Sequence, residues 1–109
     1  MKSKVVRGNT PIEGRLDLHG LTQASAHAAL SRFLRSAQGR GAKVVLVITG
    51  KGGGNADGSE RGVLKRVVPQ WLALPEFRNL VVGFEWAHAA HGGEGALYIR
   101  VRRNRASGD

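Results

Sequence analysis

Residues 43–49 read KVVLVIT, and this short segment constrains the fold more than any other part of the chain. Its β-branched residues favour a strand, but apolar and polar side chains do not alternate along it. A strand with this pattern is covered on both faces, as an interior strand of a sheet packed against helices is. The segment therefore predicts an interior strand of a layered domain.

The flanking segments predict the element order β-α-β-α-β-β. Residues 15–19 alternate as a half-buried strand does, and residues 80–86 and 96–103 are predicted as the last two strands. We expect parallel crossovers to join the first three strands, with the last two strands antiparallel. The expected fold class is α/β (an α+β sandwich), in which a four-stranded mixed sheet packs with two main helices.

Both helices are predicted from apolar side chains at helical spacing. The first has Thr22 as its N-cap, runs to about Gln38 and ends at the glycines that follow. We expect Pro69 to kink or break the second helix, because proline removes one amide donor. The apolar faces comprise Ala26, Leu30, Phe33, Leu34 and Ala37 in the first helix and Val63, Leu64, Val67, Val68, Trp71 and Leu72 in the second.

The length of 109 residues predicts one domain, over residues 15–103, between a basic flexible arm (residues 1–14) and a disordered tail (residues 104–109). The chain has no cysteine, which excludes a disulfide scaffold and a thiolate metal site. Its longest aliphatic run, Val44 to Ile48, is far shorter than the ~20 residues of a membrane span. We expect a monomer in the cytoplasm, with no signal peptide and no membrane contact.

The charge points to a polyanionic partner. Lysine and arginine number 17 against 8 acidic residues, which gives a net charge of +9. Nucleic acid, RNA or DNA, is the commonest polyanion in the cytosol, and the ribosome is a further expected partner. The alternative is a generic basic surface without a dedicated ligand.

Asp17 and His19 are the candidate catalytic residues. They lie two positions apart at the end of the first predicted strand, so their side chains share one face. An imidazole can take a proton from a nucleophile or give one to a leaving oxygen, and a nearby carboxylate can orient it or contribute to a metal site. The alternative is that both residues cap the next helix or bind loop amides.

The glycine-rich segment that begins Gly50-Lys51-Gly52 is a candidate phosphate-binding loop. Glycines let backbone N–H groups approach a phosphate, and the lysine adds charge. It is not a Walker A loop, because Val45 and Gly52 occupy positions that require glycine and a hydroxyl residue. The alternative is a flexible surface loop that binds nothing.

Two further segments are candidate substrate contacts. His91, Gly92 and Gly93 precede the last predicted strand, although a tight turn would also explain these glycines. Arg100 and Arg102 alternate with apolar residues along that strand and would contact phosphates, unless they are the solvated side of an edge strand. On the same face, Tyr98 is a candidate base-stacking residue.

Three segments together resemble the small MutS-related (Smr) family. Residues 16–22 (LDLHGLT), 49–52 (TGKG) and 92–97 (GGEGAL) are similar to its three sequence boxes, in the same order, and the resemblance covers about residues 15–103. It implies a domain similar to the C-terminal domain of translation initiation factor three, and endonuclease activity on DNA or RNA, in some members on mRNA at stalled ribosomes. Many members have histidine at the position of Thr49.

RNA cleavage is favoured over DNA nicking. RNA supplies its own nucleophile, the 2′-hydroxyl, whereas DNA needs an activated water that a metal commonly generates. No ligand spacing predicts a metal site, so no cofactor is expected to be obligatory, and Mg²⁺ would be needed only for DNA. Thr49 favours the alternative, a non-catalytic module that binds RNA, the ribosome or DNA, because it removes one potential catalytic imidazole.

Overall fold

The computed structural model describes residues 11–50, 63–87 and 95–103, which contain four strands and three helices. The strands are β1 (Arg15–Asp17), β2 (Val44–Ile48), β3 (Val81–Trp86) and β4 (Ala96–Val101). The helices are α1 (Gln23–Arg40), α2 (Val63–Leu72) and α3 (Pro75–Arg78), the last a single turn. The predicted order of strands and main helices is confirmed, with α3 as an addition.

The sheet has the strand order β1-β2-β4-β3. β2 pairs parallel with β1, and β4 pairs antiparallel with both β2 and β3. The strands β1, β2 and β3 therefore point the same way, and the predicted antiparallel pairing of the last two strands is confirmed. The sequence pattern does not predict that β4 lies between β2 and β3.

Helix α1 begins as predicted and ends later than predicted. The Thr22 hydroxyl accepts a hydrogen bond from the backbone N–H of Ser25 at 3.2 Å, which satisfies one free donor of the first turn. Gly39 lies within the helix, and Gly41 ends it in a left-handed conformation with φ of 78°.

The sequence predicts a kink or a break at Pro69; helix α2 is continuous across this residue, so the break is not found, and the kink stays a prediction. Proline removes one backbone hydrogen bond of the helix. Leu64, Val68 and Leu72 are buried along one side of α2, and this packing offsets the cost. Among the described residues, no helix is long and apolar enough to cross a bilayer.

Both faces of the sheet are buried at its inner strands β2 and β4, as the pattern of β2 predicts. Val45 and Val47 face the helices in one core, and Val44 and Leu46 face the opposite side in a second core, all at 1% exposure or less. Tyr98, at 1% exposure, belongs to the second core. Its expected role in base stacking is therefore wrong, because β4 is an inner strand and its second face is covered.

The last residues of the predicted arm contact β2. The backbone N–H of Glu13 donates to the Val44 carbonyl at 2.7 Å, and the Gly14 carbonyl accepts from Leu46 at 2.9 Å. Ile12 packs against the second core. The predicted boundaries of the domain stay predictions, and residues 1–10 and 104–109 lie outside the described part of the chain.

Candidate active site

The candidate site lies at one end of the sheet, where β1 and β2 end and β4 begins. Asp17 is the last residue of β1, Thr49 and Gly50 follow β2, and Gly95 precedes β4. In open sheets that contain parallel strands, ligands bind at the carboxyl ends of those strands.

A turn after β1 fixes the positions of Asp17 and His19. Leu18, between them, is fully buried, and its backbone N–H donates to the Ile48 carbonyl at 2.7 Å. The chain then turns at Gly20, which has φ of 86°, and Leu21 donates to the Leu18 carbonyl at 3.0 Å. The buried leucine holds the turn on the domain while the two polar side chains face solvent.

Asp17 and His19 form a hydrogen-bonded pair. Oδ1 of Asp17 lies 2.7 Å from Nδ1 of His19, and the same oxygen accepts the backbone N–H of His19 at 3.0 Å. The side chains of Asp17 and His19 are 49% and 68% exposed, respectively, so both are accessible from solvent. The sequence predicts these two residues to be neighbours on one face, and the structure brings them into direct contact.

Two opposing effects set the pKa of the Asp17 carboxyl. Partial burial raises the pKa, whereas the hydrogen bonds from the ring and backbone of His19, with the charge of that ring, lower it, and the net pKa lies below its usual value. An ionised carboxylate only accepts hydrogen bonds, so Nδ1 of His19 is the protonated nitrogen facing it. In the neutral ring the second nitrogen, Nε2, is then the hydrogen-bond acceptor.

Gly50 lies against His19. It has φ of 87°, and a Cβ atom at this position would stand 3.2 Å from the Cβ of His19. Its backbone N–H donates to the Gly95 carbonyl at 3.0 Å, so this donor is engaged within the fold and does not face a phosphate. Because Gly50 has no side chain, the residues that follow β2 can lie close to His19.

The Gly95 carbonyl joins the second and third sequence boxes, and sequence reasoning missed its role. It accepts the backbone N–H of Thr49 at 2.8 Å, that of Gly50 and, at 3.3 Å, the Thr49 hydroxyl. The hydroxyl also contacts the Gly50 carbonyl at 3.0 Å, and Thr49 is only 5% exposed. The signal that could have indicated this bridge is the hydroxyl residue Thr49 at the end of a strand predicted to be interior, because a buried polar group needs a hydrogen-bond partner.

The other predicted contacts at this end lie outside the described residues: Lys51, Gly52, His91, Gly92 and Gly93. Their assignment to substrate binding stays a prediction. Within residues 11–50, 63–87 and 95–103, no three histidine or acidic side chains cluster as metal ligands would. The expectations of no obligatory metal and of Mg²⁺ for DNA also stay predictions.

Arg100 and Arg102 are not brought to Asp17 and His19. β4 runs antiparallel to β1, and its six residues carry the chain about 17 Å toward the opposite end of the sheet. There the guanidinium of Arg102 donates to the carbonyls of Arg78 at 2.9 Å and Val81 at 3.3 Å. Any phosphate contact of these arginines is therefore peripheral to the Asp17–His19 pair.

His27 forms a second histidine–carboxylate pair, whose two partners are 49 positions apart in the sequence. Its Nε2 lies 2.9 Å from Oε2 of Glu76. Its ring packs edge-on against Trp71 and Phe77, with centroids 4.9 Å and 5.3 Å away. The pair joins the three helices, which is a structural role.

The Smr domain family model matches residues 16–102 of this chain. The ribosome rescue factor SmrB of Tolumonas auensis is 29% identical over 102 residues, which cover 93% of this chain and 52% of that protein. SmrB of Pasteurella multocida is 34% identical over 94 residues, which cover 85% of this chain and 49% of that protein. The chain thus spans about half the length of these curated relatives.

Two solved structures share the fold. The Smr domain of Thermus thermophilus MutS2 superposes with a TM-score of 0.68 at 26% identity, covering 83% of this chain and 99% of that one. YdaL, a stand-alone small MutS-related protein from Escherichia coli, gives a TM-score of 0.73 at 25% identity, covering 93% of this chain and 74% of that one.

Proposed function

Because this chain belongs to the Smr domain family, we propose that it binds RNA and that Asp17 and His19 cleave the bound strand. The observation that carries the proposal is the 2.7 Å contact between Asp17 and an imidazole that is 68% exposed at the ligand-binding end of the sheet. Such a pair is suited to acid–base chemistry on a substrate that approaches from solvent.

We expect the chain to bind this RNA at the ribosome. Curated relatives that share the domain are named ribosome rescue factors. The net charge of +9 supports association with an RNA-rich particle in the cytoplasm, since neutralising phosphates releases bound counterions.

The proposed reaction uses the RNA's own 2′-hydroxyl as the nucleophile. Nε2 of His19 accepts the proton of this hydroxyl while its oxygen forms a bond to the adjacent phosphorus. The bond from phosphorus to the 5′-oxygen breaks, and that oxygen takes a proton from water, while the hydroxide that remains takes the proton back from the imidazolium. The products are a 2′,3′-cyclic phosphate and a 5′-hydroxyl. Asp17 positions the ring through Nδ1 and stabilises the imidazolium that forms.

Cleavage assays with two substrates test the proposal. A labelled single-stranded RNA and a supercoiled DNA are incubated with the wild type and with His19→Ala, each with and without EDTA. We expect the wild type to cut RNA in EDTA and leave a 2′,3′-cyclic phosphate, and the variant to bind RNA without cutting it. RNA cutting that is lost in EDTA and restored by Mg²⁺ would contradict the metal-free reaction.

Thr49 favours a second candidate function, a non-catalytic module that binds RNA, the ribosome or DNA. At the position where many relatives carry histidine, this chain has a buried hydroxyl that bonds to the Gly50 and Gly95 carbonyls. Only one imidazole, that of His19, is therefore available in the described part of the site. Clear RNA binding by the wild type, with no cutting of either substrate, identifies this function.

A further inference from the structure

Two aromatic side chains are exposed on the edge strand β3. Phe84 pairs with Ile99, and Trp86 pairs with Leu97, and both partners are fully buried in the core beneath the helices. Paired residues of neighbouring strands share a face, so both rings extend this apolar layer to the sheet edge. There each ring remains 38% exposed. We call Phe84 and Trp86 the aromatic pair.

A cation lies beside the aromatic pair. Nζ of Lys65, in the first turn of α2, stands 6.0 Å from the ring centroid of Trp86. Exposed rings beside basic side chains are the combination by which proteins bind single-stranded nucleic acid, since the rings stack on bases and the cations attract phosphates.

The aromatic pair and the Asp17–His19 pair lie at the same end of the sheet but on opposite edges. Asp17 and Trp86 are the last residues of β1 and β3, which point the same way. Three strand spacings of about 4.8 Å separate these strands, or about 14 Å. Asp17 pairs with Ile48, which packs on the second core, so the two features face opposite sides. An RNA strand that contacts both the aromatic pair and the Asp17–His19 pair therefore has to cross the end of the sheet.

We propose that the aromatic pair stacks on bases of single-stranded RNA, a few nucleotides from the phosphate that faces His19. The proposal rests on the proposed RNA-binding function and adds the preference for unpaired bases, because the bases of a duplex already stack on each other. A second copy of this chain is a poorer occupant of the surface, since two chains of charge +9 repel each other.

Tryptophan fluorescence tests the proposal directly. The chain has two tryptophans, so Trp71→Phe leaves Trp86 as the sole reporter. The titrant is a fully 2′-O-methylated RNA oligonucleotide, which lacks the nucleophile and is not cut. We expect saturable quenching of Trp86 by the single strand, and little quenching by the same sequence in a duplex.

Substitutions measure the contribution of each ring. We expect Trp86→Ala and Phe84→Ala each to weaken binding of the single strand about 10-fold, as the loss of one stacked base does. Val82→Thr is the matched control, since Val82 is an exposed apolar residue of the same strand and threonine keeps the β-branch. We expect this control to leave the affinity within about 2-fold.

The outcomes separate this inference from the proposed function. If wild-type protein binds RNA while Trp86 is not quenched and both alanine variants bind normally, the stacking surface is wrong and the proposed function stands. If the wild type does not bind RNA, the stacking surface and the proposed function are both wrong. A dimer in sedimentation that Trp86→Ala dissociates would assign the surface to a second copy and overturn the inference.

Discussion

The carboxylate of Asp17 contacts the imidazole of His19 across one fully buried residue, Leu18. The same oxygen accepts the backbone N–H of His19, so ring and backbone are oriented by one acceptor. A similar contact joins His27 and Glu76, but these residues are 49 positions apart and their pair links helices. Position in the fold, rather than pairing itself, separates the candidate catalytic histidine from the structural one.

The two histidine pairs provide a matched comparison. We expect His19→Ala to lower RNA cleavage by about 100-fold or more, because it removes the proposed general base, while RNA affinity is nearly unchanged. His27→Ala should keep cleavage and lower the free energy of unfolding by about 1 kcal/mol, through lost contacts with Trp71 and Phe77. Measuring RNA cleavage and urea unfolding of both variants tests these expectations. Equal cleavage by His19→Ala and wild type would falsify the role of His19.

Asp17→Asn tests the charge of the carboxylate. The pKa of Asp17 is lowered in the folded protein, so its contacts contribute stability above the usual aspartate pKa of about 3.9, and this contribution is lost as pH falls through the lower folded pKa. Both side chains are well exposed, so the contribution is about 1 kcal/mol or less.

Urea unfolding of wild type and Asp17→Asn at several pH values measures this contribution. We expect the wild type to be more stable near neutral pH, and the difference to shrink as the pH falls below the usual aspartate pKa and to disappear below the lowered pKa of the folded protein. We also expect cleavage to fall less than in His19→Ala, because asparagine still accepts a hydrogen bond. A stability difference that grows on acidification would contradict the lowered pKa.

Gly50→Ala should disturb the site, and Gly41→Ala is its control. Both glycines have positive φ, so alanine strains either backbone by about 1–2 kcal/mol. Only at Gly50 does the new Cβ approach His19, at 3.2 Å, whereas nothing lies within 4 Å of a Cβ at Gly41. We expect similar losses of stability and a loss of cleavage in Gly50→Ala alone. Equal cleavage by the two variants would show that this approach has no catalytic importance.

Comparing Arg102 with Arg103 separates the structural contribution of an arginine from the contribution of its charge. Arg102 bonds to the Arg78 and Val81 carbonyls, whereas Arg103 is exposed and carries the same charge. We expect Arg102→Ala to lower the free energy of unfolding by about 1–2 kcal/mol, and Arg103→Ala to leave it nearly unchanged. Thermal unfolding decides between them, and indistinguishable melting curves would rule out a structural role for Arg102.

Local patterns predict the local structure well. The aliphatic run of β2 predicts burial on both faces, and Thr22 predicts the start of α1, because burial pattern and capping depend on neighbouring residues. The two-residue spacing of Asp17 and His19 predicts that they are neighbours, although β1 ends at Asp17 and the turn that follows it makes the contact. Sequence can indicate these features because each is set within a few residues.

Strand order is not set by neighbouring residues, and the prediction for Tyr98, which depends on it, is wrong. Because β4 lies between β2 and β3, Tyr98 is covered on a face that alternation alone assigns to solvent. The antiparallel direction of β4 also takes Arg102 away from the candidate site. Thr49 departs from the family pattern at a position visible in the sequence, but its bridge to Gly95 depends on a contact 46 positions away.

The central position of β4 also determines when this sheet can form during synthesis. β4 is the last of the four strands in chain order, yet β2 and β3 each use it as a hydrogen-bonded neighbour. A nascent chain that ends after β3 can pair β1 with β2, but β3 has no strand partner. Val47 must then pair with Leu97, a long-range contact of the kind that slows folding. The two halves of the sheet can therefore join only after the ribosome has released β4, the strand that lies between them.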